Sequence, residues 1–261
     1  MKTAKLVLLV AALSLSSVAQ DWAKDALNKS PRHQEWIPIK RGDRVIHSYI
    51  VYPEVKHKAP VVIVVHEIFG VSDWVRTVAD RLAENGYIAI VPDLLSGVDG
   101  KEKSSDFADR DAVVNAIRTL TPDGVNADLN AVADYAKKIP AANGKIAISG
   151  FCWGGAHTFD FARLRPDLAA AFVFYGVAPD DTRTIKAPVY GFYGENDARV
   201  NTTIEAAQAA MKKTGQKFDP VIYKDAGHGF MRQGQDPNGK SGEKQARDDA
   251  WKRWLELLKK M

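Results

Sequence analysis

Short apolar runs alternate along the chain with longer segments in which apolar residues recur at helical spacing. Residues 60–65 form a run dominated by β-branched side chains, which is typical of a parallel strand covered on both faces. Further runs of this kind lie at residues 87–91, 146–148, 170–176 and 187–194. Helical spacing marks residues 74–85, 112–120, 125–138, 203–213 and 243–260. The alternation predicts an α/β fold with a mostly parallel, doubly wound sheet flanked by helices.

The remaining segments set the limits of this domain. Residues 44–52 alternate in polarity and predict an edge strand, and residues 218–223 predict the last strand. Residues 20–40 are polar, contain two prolines, and are interpreted as an N-terminal extension that lies over the surface. Polar, glycine-containing loops are predicted at 95–109 and 233–242. No internal repeat or change of composition interrupts residues 41–261, which are therefore predicted to form one domain.

Residues 1–19 have the three parts of a secretory signal peptide. Lys2 and Lys5 form a charged start, residues 6–15 form an apolar stretch, and Ser-Val-Ala at 17–19 supplies the small side chains that a signal peptidase recognises. An uncleaved anchor is the alternative, but the apolar stretch is too short to span a bilayer comfortably. We therefore predict cleavage after Ala19 and an exported protein, periplasmic or secreted, with no stable membrane insertion after cleavage.

Composition and charge exclude several classes of function. Of the 261 residues, 46% are hydrophobic and 26% are charged, which is ordinary for a globular protein. The formal charge of +4 falls by two, to +2, when Lys2 and Lys5 are removed, and the remaining cations are interspersed with acids. No nucleic-acid partner is therefore predicted. The chain has one cysteine, Cys152, which excludes an intrachain disulfide.

Cys152 lies in the segment Gly-Phe-Cys-Trp-Gly, directly after a predicted strand and before a helical pattern. This order matches the nucleophile elbow of α/β-hydrolases, in which a strained turn pushes the reactive side chain out at the end of a strand. Gly150 and Gly154 leave room for the strand and the helix to approach closely. The alternative is that Cys152 is a small buried apolar residue. The elbow context favours the nucleophile.

A nucleophilic thiol needs a base that takes its proton and an acid that orients the base. His228 follows the last predicted strand, with a glycine on each side, and is the predicted base. His157 is the other histidine downstream of Cys152, but it lies within the elbow helix and is expected to point away from the turn. A surface-loop histidine is the alternative role for His228.

Four acidic residues are candidates for the orienting acid. Asp197, in the loop after the strand at 187–194, is favoured because it lies far enough into the loop to turn back toward the histidine. Glu195 is its competitor and is expected to be a surface or capping residue. Asp225 and Asp219 are weaker candidates.

Acyl transfer also needs two backbone N–H groups that hold the developing oxyanion. Trp153, directly after the nucleophile, and Ile68, in the loop after the first buried strand, are the predicted donors. His66 and Glu67 could begin a zinc-binding His-Glu-x-x-His motif, but Gly70 stands where its second histidine would be. No metal and no cofactor are predicted.

Four motifs follow one another within residues 40–260. They are Glu-Ile-Phe-Gly at 67–70, Gly-x-Cys-x-Gly-Gly at 150–155, Gly-x-x-Asp at 194–197 and His-x-Phe-x-Arg at 228–232. Together they resemble the dienelactone hydrolase family, a branch of the α/β-hydrolases with a cysteine nucleophile. The resemblance implies an α/β-hydrolase fold and a triad of Cys152, Asp197 and His228.

The resemblance also implies how the thiol is controlled. In the family a glutamate pairs with an arginine at rest and turns toward the cysteine when an anionic substrate binds; the matching residues here are Glu67 and Arg232. A plain ion pair between two loops is the alternative. Phe69 and Arg110 are further residues that the resemblance implies for substrate binding. Where the family has a tyrosine and a tryptophan after this second arginine, the chain has Val114 and Ile117.

These inferences predict an exported hydrolase of esters or lactones that works through a thioester acyl-enzyme. The expected partner is a small-molecule ester or lactone, with an anionic substrate implied by the arginines, and the sequence indicates no oligomeric state. Two alternatives stay open: a peptidase or acyltransferase on the same scaffold, and a non-catalytic thiol protein that binds ligands or senses redox state.

Overall fold

The computed structural model describes residues 21–261, so the predicted signal peptide lies outside the described residues. One eight-stranded sheet forms the centre of this part of the chain. Its strands are β1 (Gln34–Arg41), β2 (Arg44–Val51), β3 (Ala59–Val65), β4 (Ile88–Pro92), β5 (Ala142–Phe151), β6 (Ala170–Phe174), β7 (Val189–Asn196) and β8 (Phe218–Gly227). The helices are α1 (Asp21–Lys29), α2 (Asp73–Glu84), α3 (Arg110–Ile117), α4 (Pro122–Lys138), α5 (Trp153–Leu164), α6 (Ala198–Asn201), α7 (Ile204–Lys213), α8 (Phe230–Gln233) and α9 (Ser241–Leu258).

The strands are ordered β1-β2-β4-β3-β5-β6-β7-β8 across the sheet. All neighbours from β4 to β8 are parallel, whereas β2 runs antiparallel to both β1 and β4. The prediction of a mostly parallel sheet flanked by helices is confirmed. Because parallel strands end at the same edge, the loops that follow β3, β5, β7 and β8 meet there. These four loops carry the predicted catalytic residues.

Strand β3 shows why the central strands read as unbroken apolar runs. Its alternate residues face opposite sides of the sheet. Val61 and Val65 pack in the apolar layer that contains α4, α5 and α7, while Val62 and Val64 pack in the layer that contains α2 and α9. Full burial of one such side chain contributes roughly 1.5–3 kcal/mol. The loop that follows β3 therefore starts from a strand that is buried on both faces.

The prediction of a surface extension at residues 20–40 is wrong for the residues that the structure describes. They fold into α1 and β1, and β1 pairs antiparallel with β2 over its whole length. The edge strand is therefore β1, and the predicted edge strand, β2, lies one position inside it. Pro38 lies within β1. A proline is tolerated there because one side of an edge strand needs no N–H groups for pairing.

Helix α1 is held against the domain by two buried side chains and by hydrogen bonds just after its last residue. Ala23 and Leu27 are buried against the rest of the protein. Directly after the helix, Ser30 and Arg32 both donate to Asp80 of α2, the arginine at 2.8 and 2.6 Å. The beginning of the described chain is thus held in one place on the domain.

Two loops lie near the carboxyl edge of the sheet. Residues 95–109 follow β4 and contain two single turns of 3₁₀ helix, Val98–Gly100 and Ser104–Asp106. The loop predicted at 233–242 is shorter in the structure, because α8 ends at Gln233 and α9 begins at Ser241. Within residues 21–261, no helix combines the length and apolar character that a membrane crossing requires.

Candidate active site

Cys152 is the single residue between β5 and α5. Its backbone has φ 57° and ψ −117°, a conformation that costs about 1–3 kcal/mol for a residue with a side chain. The turn is held in part by a 3.0 Å hydrogen bond from Cys152 N to the carbonyl oxygen of Phe174. A Cβ at Gly150 would lie 2.2 Å from the Gly154 carbonyl oxygen, and one at Gly154 would lie 2.3 Å from that of His66. Both positions therefore need glycine, as the elbow motif predicted.

His228 and Asp197 converge on the elbow from the loops after β8 and β7. Nε2 of His228 lies 3.0 Å from Sγ of Cys152, and Nδ1 lies 2.6 Å from Oδ2 of Asp197. Asp197 is buried, with 6% of its side chain exposed, whereas His228 is partly open to solvent. The structure thus brings together a thiol, an imidazole and a carboxylate in the order that acyl transfer needs.

The competing acids lie outside the group formed by Cys152, His228 and Asp197. Glu195 is exposed, and its Oε2 accepts a 3.0 Å hydrogen bond from the backbone N–H of Asp225. Asp219 lies 3.4 Å from the guanidinium of Arg253, near the other end of β8. Asp197 is thus the acidic candidate that hydrogen-bonds the imidazole.

Two further histidines pack on the indole of Trp153. The ring of His157 is centred 4.3 Å from it, and burial lowers the pKa of His157 to about 4. His66 stacks on the same indole at 5.6 Å, and burial lowers its pKa as well. Both rings are therefore neutral at physiological pH. Within residues 21–261 no group of three or more His, Cys, Asp or Glu side chains is arranged to hold a metal ion.

The predicted oxyanion donors, Trp153 and Ile68, lie shortly after two neighbouring strands, β5 and β3. Trp153 is the first residue of α5, and its backbone N–H lowers the pKa of Cys152 by hydrogen-bonding the sulfur. Ile68 is half-buried in the turn after β3. Val65, the last residue of β3, is paired with Gly150 near the end of β5, so both segments leave the sheet side by side.

Glu67 is a buried carboxylate close enough to Cys152 for its charge to act on the thiol. Its Oε2 accepts a 2.8 Å hydrogen bond from Nε of Arg232, and the hydroxyl of Tyr175 lies 3.5 Å from Oε1. Burial raises the pKa of Cys152 to about 11, and the negative charge of Glu67 is the second cause. The backbone N–H of Trp153 and two arginine charges oppose this rise without cancelling it. In this arrangement the thiol is protonated at neutral pH.

Two arginines lie against the ring of Phe69. Cζ of Arg110 lies 3.7 Å from the ring centroid, and Cζ of Arg232 lies 5.2 Å from it. Burial and the nearby charge of Arg232 both lower the pKa of Arg110. Both arginines line a cavity of about 290 Å³. The three residues predicted for substrate binding are therefore adjacent, and two like charges held this close favour a bound anion.

Three residues near the site were missed in the sequence. Tyr175 has φ 40°, and its ring lies edge-on to that of His228 at 5.1 Å; the signal would have been a Tyr-Gly pair directly after a strand. Arg199 lies on α6 and is exposed, and its charge lowers the pKa of Cys152. Trp22 of α1 lines the same cavity as the two arginines. No local sequence pattern indicates a role for Arg199 or Trp22.

The chain is similar to several known proteins. A model of the dienelactone hydrolase family matches residues 46–261. A protein of Salmonella typhimurium (strain LT2) named "Putative carboxymethylenebutenolidase" is 34% identical over 235 residues, which cover 84% of each chain. A Bradyrhizobium protein named "Probable 2-oxo-3-(5-oxofuran-2-ylidene)propanoate lactonase" is 26% identical over 211 residues, covering 75% of this chain and 83% of that protein.

Solved structures show the same likeness. The crystal structure titled "Putative Dienelactone Hydrolase" from Klebsiella pneumoniae subsp. pneumoniae superposes with a TM-score of 0.76. It is 27% identical in sequence, and the match covers 88% of this chain and 99% of that one. The match to the family model begins within β2, so α1 and β1 lie outside it.

Proposed function

Because the chain belongs to the dienelactone hydrolase family and is a hydrolase of carboxylic esters or lactones, we propose that it acts through a thioester acyl-enzyme formed on Cys152. The observation that carries this proposal is the row of Cys152, His228 and Asp197, with Nε2 3.0 Å from the sulfur and Nδ1 2.6 Å from the carboxylate. A thiol within reach of an imidazole that a buried carboxylate orients is the arrangement of acyl transfer, in which the imidazole carries a proton to the leaving oxygen and takes one from the attacking water.

The thiol must lose its proton before it attacks, since its pKa at rest is about 11. Glu67 is engaged by Arg232 in that state. An anionic substrate that binds Arg232 and Arg110 competes with Glu67 for the same guanidinium. The released carboxylate then turns to the sulfur and accepts its proton. Keeping the thiol protonated between turnovers also protects it from oxidation, because the thiolate is the form that oxidants attack.

Acylation of Cys152 and hydrolysis of the thioester then follow. The thiolate of Cys152 attacks the carbonyl carbon, and the backbone N–H groups of Trp153 and Ile68 hold the oxyanion. Collapse of the intermediate breaks the carbon–oxygen bond of the ester. The proton that left the sulfur for Glu67 reaches the leaving oxygen by way of Nε2 of His228. A water molecule gives its proton to His228, attacks the thioester and releases the acid, and the proton returns to the sulfur.

Trapping of the acyl-enzyme tests this proposal. Wild-type protein quenched in acid during turnover of dienelactone, an anionic lactone whose leaving oxygen stays attached to the acyl group, should carry one added group with the mass of the substrate, and peptide mapping should locate it on Cys152. Cys152→Ala should neither hydrolyse the lactone nor acquire the group, and its circular dichroism spectrum should match wild type. Hydrolysis that survives in Cys152→Ala contradicts the mechanism.

The same assay separates the alternatives. A peptidase would cleave peptide amides in a panel that also contains aryl esters and dienelactone, and an acyltransferase would form a new ester when an alcohol is added. A non-catalytic thiol protein would be alkylated at Cys152 by iodoacetamide but would turn over none of these substrates.

We also propose that the protein is exported, because residues 1–19 have the composition of a signal peptide. Mass spectrometry of the protein purified from separate periplasmic, secreted and cytoplasmic fractions tests this. A mature protein that begins at Gln20 outside the cytoplasm is expected. A cytoplasmic protein that retains Met1–Ala19 contradicts export.

A further inference from the structure

His66 directly follows β3, and its side chain is fully buried. None of the catalytic steps uses its imidazole. Burial of a polar ring costs free energy unless hydrogen bonds satisfy its nitrogens, so the partners of the two nitrogens indicate what the residue does. Nε2 accepts a 3.4 Å hydrogen bond from the backbone N–H of Leu94, and Nδ1 lies 2.7 Å from the backbone carbonyl oxygen of Glu67.

These two contacts determine the tautomer of the ring. Nε2 faces an N–H group and acts as an acceptor, so the ring hydrogen lies on Nδ1 and is donated to the carbonyl oxygen of Glu67. Burial lowers the pKa of His66, which keeps the ring neutral. The backbone N–H of Gly70 donates to the same carbonyl oxygen at 3.2 Å. Both lone pairs of this oxygen are therefore engaged within the protein.

The held carbonyl determines the direction of the next N–H group. The carbonyl of Glu67 and the N–H of Ile68 belong to one trans, planar peptide group, so they point in opposite directions. Within residues 21–261 the N–H of Ile68 makes no hydrogen bond. Backbone N–H groups are strong donors that are seldom left without a partner. This N–H is therefore available to an oxyanion.

The imidazole also contacts the residue that supplies the second predicted donor. It stacks on the indole of Trp153, with the ring centroids 5.6 Å apart and the planes inclined by 15°. The first turn of α5 lies against the same backbone, since a Cβ at Gly154 would lie 2.3 Å from the carbonyl oxygen of His66. His66 thus contacts the peptide group of Ile68 by a hydrogen bond and Trp153 by stacking.

We propose that His66 is the positioning residue of the oxyanion hole: its Nδ1–H holds the peptide group between Glu67 and Ile68 so that the Ile68 N–H faces the reacting carbonyl oxygen. The inference rests on the proposed function, because the oxyanion forms during acyl transfer. Donors oriented in advance stabilise the transition state without reorganisation at the moment of reaction. The imidazole itself touches no reacting atom.

Two substitutions separate the hydrogen bond from the bulk of the ring. His66→Phe keeps an aromatic ring against Trp153 and removes both nitrogens, whereas His66→Asn keeps an N–H donor near the place of Nδ1 and removes the ring. With dienelactone, His66→Phe should lower kcat about 10–100-fold. KM should change little, because the misplaced donor acts in the transition state and not in substrate binding. His66→Asn should recover most of the lost kcat.

His157→Phe is the matched control, since His157 is also a neutral histidine that packs on the indole of Trp153, at 4.3 Å. Within the described part of the chain it makes no hydrogen bond to the turn after β3. Its kcat should match wild type. Iodoacetamide should label Cys152 at the same rate in every variant, because displacement at a saturated carbon forms no oxyanion.

Four kinetic results overturn the proposal. They are a wild-type kcat in His66→Phe, a loss that lies in KM instead of kcat, an equal loss in His66→Asn or His157→Phe, and a fall in the labelling of Cys152 that parallels the fall in kcat.

Nuclear magnetic resonance tests the arrangement without turnover. In wild-type protein labelled with ¹⁵N, the ring nitrogen shifts of His66 should identify Nδ1 as the protonated nitrogen, and the amide of Ile68 should give one sharp signal. That signal should broaden or split in His66→Phe, because the peptide group can then rotate, and stay sharp in His157→Phe. A proton on Nε2, or an unchanged Ile68 signal in His66→Phe, overturns the proposal. If wild type forms no acyl-enzyme while the Ile68 signal depends on His66, the proposed function fails and the orientation of the peptide group by His66 stands.

Discussion

The guanidinium of Arg232 donates from Nε to Oε2 of Glu67 across 2.8 Å, and so joins the loop after β3 to α8. Only 4% of the Glu67 side chain is exposed. A buried carboxylate in this position has two effects, because it neutralises Arg232 and raises the pKa of Cys152. The pair therefore connects the cationic cavity with Cys152, and each partner can be changed separately.

Glu67→Gln should make the resting thiol more reactive and the enzyme less active. Loss of the negative charge removes the second cause of the raised pKa of Cys152, so that pKa should fall from about 11 by ~1 unit or more. At pH 8 the thiolate fraction then rises about tenfold per unit. Iodoacetamide labelling of Cys152 across pH 7–11 measures the shift, and turnover of dienelactone should fall in the same variant.

Glu195→Gln is the control for this change, because Glu195 is an exposed carboxylate at the same edge of the sheet. Its labelling profile should match wild type. A Glu67→Gln profile with an unchanged or higher midpoint would show that Glu67 does not hold the thiol in its protonated form.

Arg199→Gln should shift the same titration in the opposite direction. The positive charge of Arg199 lowers the pKa of Cys152, so its removal should raise that pKa and slow labelling at every pH below the midpoint. Arg183→Gln is the matched control, since Arg183 is also an exposed arginine but pairs with Asp181 at 2.9 Å. The assignment of Arg199 fails if both variants label at the same rate.

Asp197→Asn should reduce kcat about 10²–10⁴-fold, because an amide can hold the wrong tautomer of His228 and cannot stabilise its charged form. Glu195→Gln should retain activity close to wild type, since its carboxylate accepts a bond from Asp225 N and none from the imidazole. Steady-state kinetics with dienelactone compares the two. The reverse ranking would make Glu195 the orienting acid.

Gly154→Ala should destabilise the elbow. The added methyl group would lie 2.3 Å from the His66 carbonyl oxygen and 2.5 Å from that of Val65. Overpacking of this kind costs about 1–3 kcal/mol, which lowers Tm by roughly 2–10 °C in a protein of this size. Thermal unfolding measures the loss, and activity should fall with it.

Gly124→Ala is the control, since its methyl group would meet only the end of the Thr121 side chain, at 3.0 Å, in the first turn of α4. Its Tm should stay within about 2 °C of wild type because alanine favours a helix over glycine. If Gly154→Ala is as stable as this control, the close approach of the elbow to β3 is not needed for the fold.

The sequence predicts those features of the site and fold that depend on steric restraints between neighbouring residues. A strand that ends in Gly-x-Cys-x-Gly can turn in few ways, so the elbow at Cys152 followed from five residues. The choice of His228 followed from its place after a strand and between glycines. Central strands were recognisable because burial on both faces leaves little room for polar side chains.

Local pattern misled where pairing partners lie far away in the chain. Residues 34–41 have mixed polarity and include Pro38, so nothing in them shows that β2 supplies a partner over their whole length. Asp197 and Glu195 are two positions apart, and only the path of the chain after β7 turns one toward His228 and the other to Asp225. Residues two apart on an extended segment point to the same side, so strand alternation alone does not separate the two acids. The chain leaves the strand where β7 ends at Asn196, and that change of direction separates them.

The predicted nucleophile, its predicted base and the class of fold follow from short-range rules, because turn sterics and strand burial act over a few neighbouring residues. The residues that surround the sulfur in space do not follow from short-range rules. The ion pair of Glu67 and Arg232 joins residues 165 positions apart, and Trp22 reaches the cavity from a helix before the first strand. Such contacts depend on the order and twist of the whole sheet, which the folded chain sets and no local pattern encodes.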